Sequence, residues 1–193
     1  EEAFVESFGR TRGVWIDILN DSPSLPEDIQ GAVDTIDRNA RVQVNLINDL
    51  LDISRIISGK MRINFQKDIQ LKALVEEVVE DLSPTAHTKN ISISCELDEQ
   101  CITSGDPERL RQVVWNLLSN AIKFSPRDGF VQVRLSVDAE EGKAKISVLD
   151  QGPGIAEEFQ GRLFGKFEQF DNSNTRSEGG TGLGLSISKA LVE

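Results

Sequence analysis

Apolar residues in the first third of the chain recur in steps of three and four, at Ile29, Val33, Ile36, Ala40, Val44, Ile47 and Leu51, and continue to Ile56 and Ile57. That period puts them on one face of a helix. The break Asn20-Asp21-Ser22-Pro23 separates this helix from another before it, and residues 1–60 show no strand pattern, so they predict a helical hairpin. Ser24 and Glu27 make a capping box, with Pro26 in the first turn where its missing N–H costs little, which starts the second helix near Leu25. The stripe is longer than one surface helix needs. Two helices bury only part of it against each other, and the remainder predicts pairing with a second copy as a four-helix bundle; the alternative is a hairpin packed on its own globular domain.

Gly59-Lys60 ends the long helix, and strand and helix patterns then alternate. Residues 61–65 read as a strand. Leu71, Leu74, Val75, Val78, Val79 and Leu82 form a helical stripe, and residues 91–97 a strand with Ile91, Ile93, Cys95 and Leu97 facing inward. Asp106 is placed to cap a helix running to about Phe124. Val131, Val133, Leu135 and Val137, then Ala144, Ile146 and Val148, alternate across the polar turn 139–142 as an antiparallel hairpin. A last helix begins near Gly182. The expected fold class is α+β: an antiparallel helical hairpin in residues 1–60, then an α/β two-layer sandwich with a mixed, largely antiparallel sheet in residues 61–193.

The 193 residues include 38% hydrophobic side chains, enough for a core, and a net charge of −11 argues against nucleic acid as a partner, because phosphate backbones demand clustered Lys and Arg. No apolar run approaches the roughly 20 residues that cross a bilayer, and no signal peptide is recognisable, so the expectation is a cytoplasmic location with no membrane contact by these residues. Cys95 and Cys101 stand in no CxxC pair and not beside the single His87, which predicts reduced thiols rather than a zinc site.

Four local signals carry the chemistry. Asn116, Asn120 and Lys123, at i, i+4 and i+7, place two amides and an ammonium on one helical stripe, with Leu110, Val113, Val114, Leu117, Ala121 and Phe124 expected on the core side. An amide oxygen is a neutral hard ligand for Mg²⁺ and Lys is a point charge for phosphate; the bland reading is an ordinary polar face. Asp150-Gln151-Gly152-Pro153-Gly154-Ile155 follows a strand directly: its glycines let the backbone turn and approach a flat ligand, and its carboxylate can accept from an adenine amino group. Gly179-Gly180-Thr181-Gly182-Leu183-Gly184 opens the last helix and offers backbone N–H groups to phosphates; its spacing fits neither the P-loop nor the dinucleotide fingerprint. Between the two glycine motifs lie Phe164, Phe167 and Phe170, then the wholly polar residues 171–178, a pattern suited to a lid; for Phe164 a core role is equally expected.

These motifs resemble the ATPase family shared by histidine kinases, gyrase-type topoisomerases, mismatch-repair proteins and a chaperone, which uses an asparagine box and two glycine boxes. The resemblance covers about residue 71 to the C-terminus, and Asn48-Asp49-Leu50-Leu51-Asp52-Ile53-Ser54-Arg55 resembles the end of the second dimerisation helix of histidine kinases. It implies ATP and Mg²⁺ as cofactors, with Asn120 on the metal, Asn116 and Lys123 meeting phosphates, Asp150 reading adenine beside Gly152, Gly154 and Ile155, and Gly180, Thr181, Gly182, Leu183 and Gly184 wrapping the phosphates. It also implies a sensor histidine kinase of a two-component system, a homodimer through the N-terminal helices, and a response regulator receiver domain as partner.

Branches of this family that hydrolyse ATP or phosphorylate an alcohol place a glutamate base one turn before the metal asparagine. Here that position is Asn116, which cannot take a proton, so an imidazole acceptor fits better. Yet the family's acceptor histidine is not found. Aligning the helix pair puts its place near residues 1–3 or at Arg10, neither of which is histidine, and His87 reads as an exposed residue beyond the hairpin. The alternative is a degenerate, non-phosphorylating homologue that regulates by dimerising and by binding nucleotide or partner.

Overall fold

A computed structural model describes residues 27–138, 140–166, 168 and 181–193. The first hairpin helix, the start signal at 24–26, Phe167, Phe170, the polar segment 171–178 and the glycines 179 and 180 lie outside the described residues. The chain divides into two compact units, Glu1–Ser58 and Gly59–Glu193.

In the first unit, α1 spans Glu27–Ile57. Val33, Asp52 and Ile53 are buried, whereas Ile36, Ile47, Leu50 and Ile57 are exposed although they repeat at helical spacing. Arg55 lies 4.0 Å from Asp52, one turn away. Just past the helix end Gly59 takes φ 63°, the left-handed conformation that terminates helices and that glycine adopts without a Cβ clash.

The second unit runs β1 (Gln66–Gln70), α2 (Leu71–Thr88), β2 (Ser92–Leu97), β3 (Ile102–Gly105), α3 (Pro107–Phe124), β4 (Phe130–Val137), β5 (Ala144–Leu149), α4 (Glu157–Gln160) and α5 (Gly184–Val192). β1 and β3 pair antiparallel. The other sheet has the order β2-β4-β5 and is mixed: β2 runs parallel to β4, with Cys95 beside Val133, and β4 antiparallel to β5, with Leu135 beside Ile146.

Helices α2 and α3 lie over this sheet, and one core joins them. Leu74, Val75, Val78, Leu82 and Ala86 from α2 meet Val114, Leu118, Ala121 and Ile122 from α3 and Val131 and Val133 from β4. Each Val, Leu or Ile among these contributes roughly 1.5–3 kcal/mol relative to exposure. Asp106 starts α3: its Oδ1 accepts from the backbone N–H groups of Glu108 at 3.0 Å and Arg109 at 3.3 Å, while Oδ2 accepts from Asn64 N–H at 2.8 Å. One buried carboxylate thus caps the helix and ties the segment before β1 to it.

Several expectations need correction. Residues 61–65 form no strand; Ile63 and Phe65 are exposed, and pairing begins only at Gln66, where β3 supplies a partner. The four-residue β3 is too short and polar to announce itself. Cys95 is exposed although it shares a face with Ile91, Ile93 and Leu97, which pack on the core, while Cys101 is buried and its thiol is pushed up by desolvation, as expected of a core cysteine. On α3 the buried positions are Val114, Leu118, Ala121 and Ile122, and Phe124 is exposed. The polar stripe of α3 is itself half-buried, which rotates the core face by about one residue. The last helix begins at Gly184 rather than near Gly182. His87 is exposed on α2.

Two outcomes follow from these contacts. Leu118→Ala, at a position with 0% exposure, should lower unfolding free energy by about 2–5 kcal/mol in denaturant titration, since the surroundings relax only partly into the space left. The Asp138 carboxylate accepts from the N–H groups of Glu141 and Glu140 in the β4–β5 turn, bonds that hold its carboxyl below the usual range. A lowered folded-state value means this capping is present above the ordinary carboxylate range and is lost as pH falls through the depressed value. Side-chain NMR titration should find Asp138 protonating below the ordinary aspartate range as acid is added; titration at or above that range would contradict the turn geometry.

Candidate nucleotide site

Helix α3 is the base of the site. Asn116, Asn120 and Lys123 share its half-buried stripe. The Asn116 Nδ2 group donates to Gly184 O at 3.1 Å and to Ser188 Oγ at 3.2 Å, joining α3 to α5. The close approach depends on Gly184: a Cβ there would lie 3.3 Å from Asn116 Cγ, tighter than most packed contacts allow. Asn120, one turn on, has no hydrogen-bonding partner for its side chain among the described residues. The Lys123 Nζ sits 4.7 Å above the Phe124 ring, at the end of α3.

The segment after β5 presses on the same end of α3. Asp150 is exposed, and its Oδ1 accepts from Gly152 N–H at 2.7 Å, folding the chain into a tight turn. A Cβ on Gly152 would stand 2.8 Å from Asp150 Oδ1 and 3.1 Å from Phe124 O, so only glycine lets the turn and the helix end meet. Gly154 takes φ 73° and faces open space, and Ile155 is exposed beside it.

The third segment enters α5. Thr181 Oγ1 accepts from Leu183 N–H at 3.2 Å, and Gly182 takes φ 69° between them. Leu183 and Ile187 are fully buried, which anchors the start of the helix. Leu183 therefore presents no side chain to a ligand, and its N–H is already engaged by Thr181 Oγ1. Gly180 lies outside the described residues. Before this segment, Arg162 forms a two-pronged pair with Glu168, at 2.9 and 2.8 Å from its Nη2. Phe164 is exposed, with Lys189 Nζ 5.5 Å from its ring centroid, so its partner is a cation on α5 and not the core.

The geometry joins α3 to both glycine motifs, through Asn116 with Gly184 and through Phe124 with Gly152. The Asn116 Nδ2 group lies within hydrogen-bonding distance of two acceptors on α5, so part of its hydrogen-bonding capacity is spent inside the protein. Sequence reasoning also missed Ser188, a buried hydroxyl four residues after Gly184, which nothing in the sequence distinguishes from Ser186 two residues before it.

The donor set suits Mg²⁺ with nucleotide. Among the described residues no three His, Cys, Asp or Glu side chains group as a metal cluster, so a cation here would depend on amide oxygens and on the nucleotide itself. The unpartnered Asn120 carboxamide and the open space at Gly154 fit that demand. A groove of about 330 Å³ between α2 and the start of α3, lined by Ile69, Ala73, Leu74, Glu77, Glu108 and Arg111 among others, contains none of the candidate residues. Among the described residues no helix is long and apolar enough to cross a membrane.

Residues 105–193 match the family of histidine kinase-, DNA gyrase B- and HSP90-like ATPases. Sensor protein GacS of Pseudomonas syringae pv. syringae is 40% identical over 164 residues, covering 82% of this chain and 18% of that protein. Full-length ShkA, solved in complex with AMPPNP, superposes with a TM-score of 0.71 at 27% identity, over 96% of this chain and 40% of that one. The catalytic domain of histidine kinase ThkA gives a TM-score of 0.58 at 29% identity, over 67% of this chain and 82% of that one. The globular unit is therefore an ATP-binding domain of the ATPase family that unites histidine kinases, DNA gyrase B and HSP90. Within that family, the chain belongs with the sensor histidine kinases. It spans a fifth or less of the length of the curated relatives it first matches.

Gly152→Ala should test how the site is assembled. With a Cβ driven against Phe124 O and Asp150 Oδ1, the turn must move. We expect ADP affinity to fall by tenfold or more, about 1.4 kcal/mol, while the core and its far-ultraviolet circular dichroism stay native. Unchanged affinity would show that the turn does not need its contact with α3.

Proposed function

We propose that this chain is the catalytic core of a sensor histidine kinase, which binds ATP with Mg²⁺ between α3 and the two glycine motifs and transfers the γ-phosphoryl to a histidine, from which a response regulator aspartate takes it. The observation that carries the reading is Asn116. It stands where hydrolysing relatives need a proton acceptor, and its carboxamide is held by hydrogen bonds to α5. With an amide where those relatives carry a base, the acceptor brings its own lone pair, as an imidazole nitrogen does. That nitrogen forms the new bond to phosphorus, the bond to the bridging oxygen breaks, and ADP leaves with the electron pair.

In this reading Asn120 holds the metal, Lys123 meets a phosphate, Asp150 accepts from adenine through the oxygen that Gly152 does not occupy, and the backbone from Gly180 to Gly184 surrounds the phosphates. When bound, Mg²⁺ neutralises charge on the transferred group. The exposed Ile36, Ile47, Leu50 and Ile57 on α1 support residues 1–60 as the dimerising hairpin, and residues 61–193 as the ATP-binding domain, in the cytoplasmic part of a larger sensor.

A second reading has its own observation. No histidine occurs in residues 1–60, and His87 lies on the exposed face of α2 in the globular unit. On that ground the chain is a non-phosphorylating homologue that binds nucleotide and regulates a partner kinase through its hairpin.

The test is incubation of the full-length protein with γ-labelled ATP, followed by acid. A label that acid removes and alkali spares supports transfer to histidine. A label that survives acid defeats it, and no label together with retained ADP binding and heterodimer formation selects the second reading.

A further inference from the structure

The last turn of α3 carries carbonyl groups that its own backbone does not satisfy. Ala121 O accepts from Ser125 N–H at 3.0 Å, but the next acceptor, Ile122 O, would need the N–H of residue 126, and Pro126 has none. Lys123 O lies one step further out. An ammonium from another element fills the gap: Lys89 Nζ donates to Lys123 O at 2.6 Å and to Ile122 O at 3.4 Å. Lys89 is half-buried and its main chain is tied at both ends. Just past α2, its N–H donates to Ala86 O at 3.1 Å, and its carbonyl accepts from Asp128 N–H at 3.0 Å.

Charge matters here as much as the hydrogen bonds. Aligned peptide dipoles give the C-terminus of a helix a partial negative charge, which favours cations and opposes anions around its last turn. The proposed site asks this same end of α3 to receive an anionic nucleotide, with Lys123 in the last turn and Phe124 O beside Gly152. We propose that Lys89 is a positioning residue that makes the C-terminal end of α3 fit for phosphate. Its ammonium, seated on the carbonyls of residues 122 and 123, offsets the negative end of the helix, so that a phosphate near Lys123 does not face bare carbonyls. It touches no nucleotide atom and acts through the helix end. The competing account is mechanical: Lys89 stitches the ends of α2 and α3 together and serves stability alone. A mechanical defect weakens charged and neutral ligands alike.

The inference rests on the proposed nucleotide site, and the experiment separates the two. ADP and uncharged adenosine are titrated, at one Mg²⁺ concentration and low ionic strength, into the full chain and its Lys89→Gln and Lys89→Arg variants. NMR follows both ligands, weak binding included, and melting curves confirm that each variant is folded. Lys89→Gln still donates a hydrogen bond but carries no charge. For it we expect ADP affinity to fall about threefold to fivefold, the size of a charge effect at a helix end, with adenosine affinity unchanged. The ADP deficit should shrink as salt is raised, because such a charge is screened. Lys89→Arg, which keeps the charge, should bind ADP close to the native level. If Lys89→Gln does not fold, Lys89→Met takes its place with the same expectation. The proposal is overturned if ADP and adenosine weaken equally, if ADP affinity does not change, if the deficit is indifferent to salt, or if Lys89→Arg falls as far as Lys89→Gln. Should the native chain bind neither ligand, the nucleotide reading itself fails and this inference with it.

Discussion

The site depends on the close approach of α3 and α5 at Gly184. Without a Cβ, the backbone of α5 comes within hydrogen-bonding distance of the Asn116 amide, and that amide takes up the Gly184 carbonyl and the Ser188 hydroxyl. Everything the second glycine motif could do for a phosphate relies on α5 starting at this place, because its backbone N–H groups point wherever the helix points. Buried Leu183 and Ile187 hold the helix down from below. A Cβ at 184 would press on the Asn116 carboxamide, which would have to give by a few tenths of an ångström against both of its α5 contacts.

The same helix carries the other half of the site. The carbonyl of Phe124 supports the turn at Gly152, and the cap at Asp106 fixes the other end of α3. Between these ends, Val114, Leu118, Ala121 and Ile122 tie the helix into the core formed with α2 and β4. A polar stripe on a helix is ordinarily solvated. Here it is half-buried, and its neighbours are glycine-rich backbone, so a rigid packed element presents polar groups to a place where the backbone can approach a ligand closely.

Much of this was legible in the residues because several local signals agree. The cap Asp106, the helical stripe from Leu71 to Leu82 and the alternation in β4 and β5 each follow a strong period or a specific side-chain bond, and each stands in the structure. The failures have equally local causes. Residues 61–65 alternate like a strand, but a strand requires a neighbour to pair with, and pairing is a property of the fold. Cys95 and Phe124 are exposed although periodicity puts each on the core side, because a period gives the face of an element and not how much of that face is covered. Ser188 gave almost no signal: what distinguishes it is contact with a carbonyl and an amide 4 and 72 residues away.

The central claim is that three separated stretches of chain form one nucleotide site on α3. Backbone NMR of the isotope-labelled chain, titrated with ADP and Mg²⁺, tests it most directly. The account predicts that amide signals of residues 116–124, 150–155 and 181–184 shift together with a single affinity. Shifts confined to the groove around Ala73, Glu77 and Arg111, with those three segments silent, would contradict it.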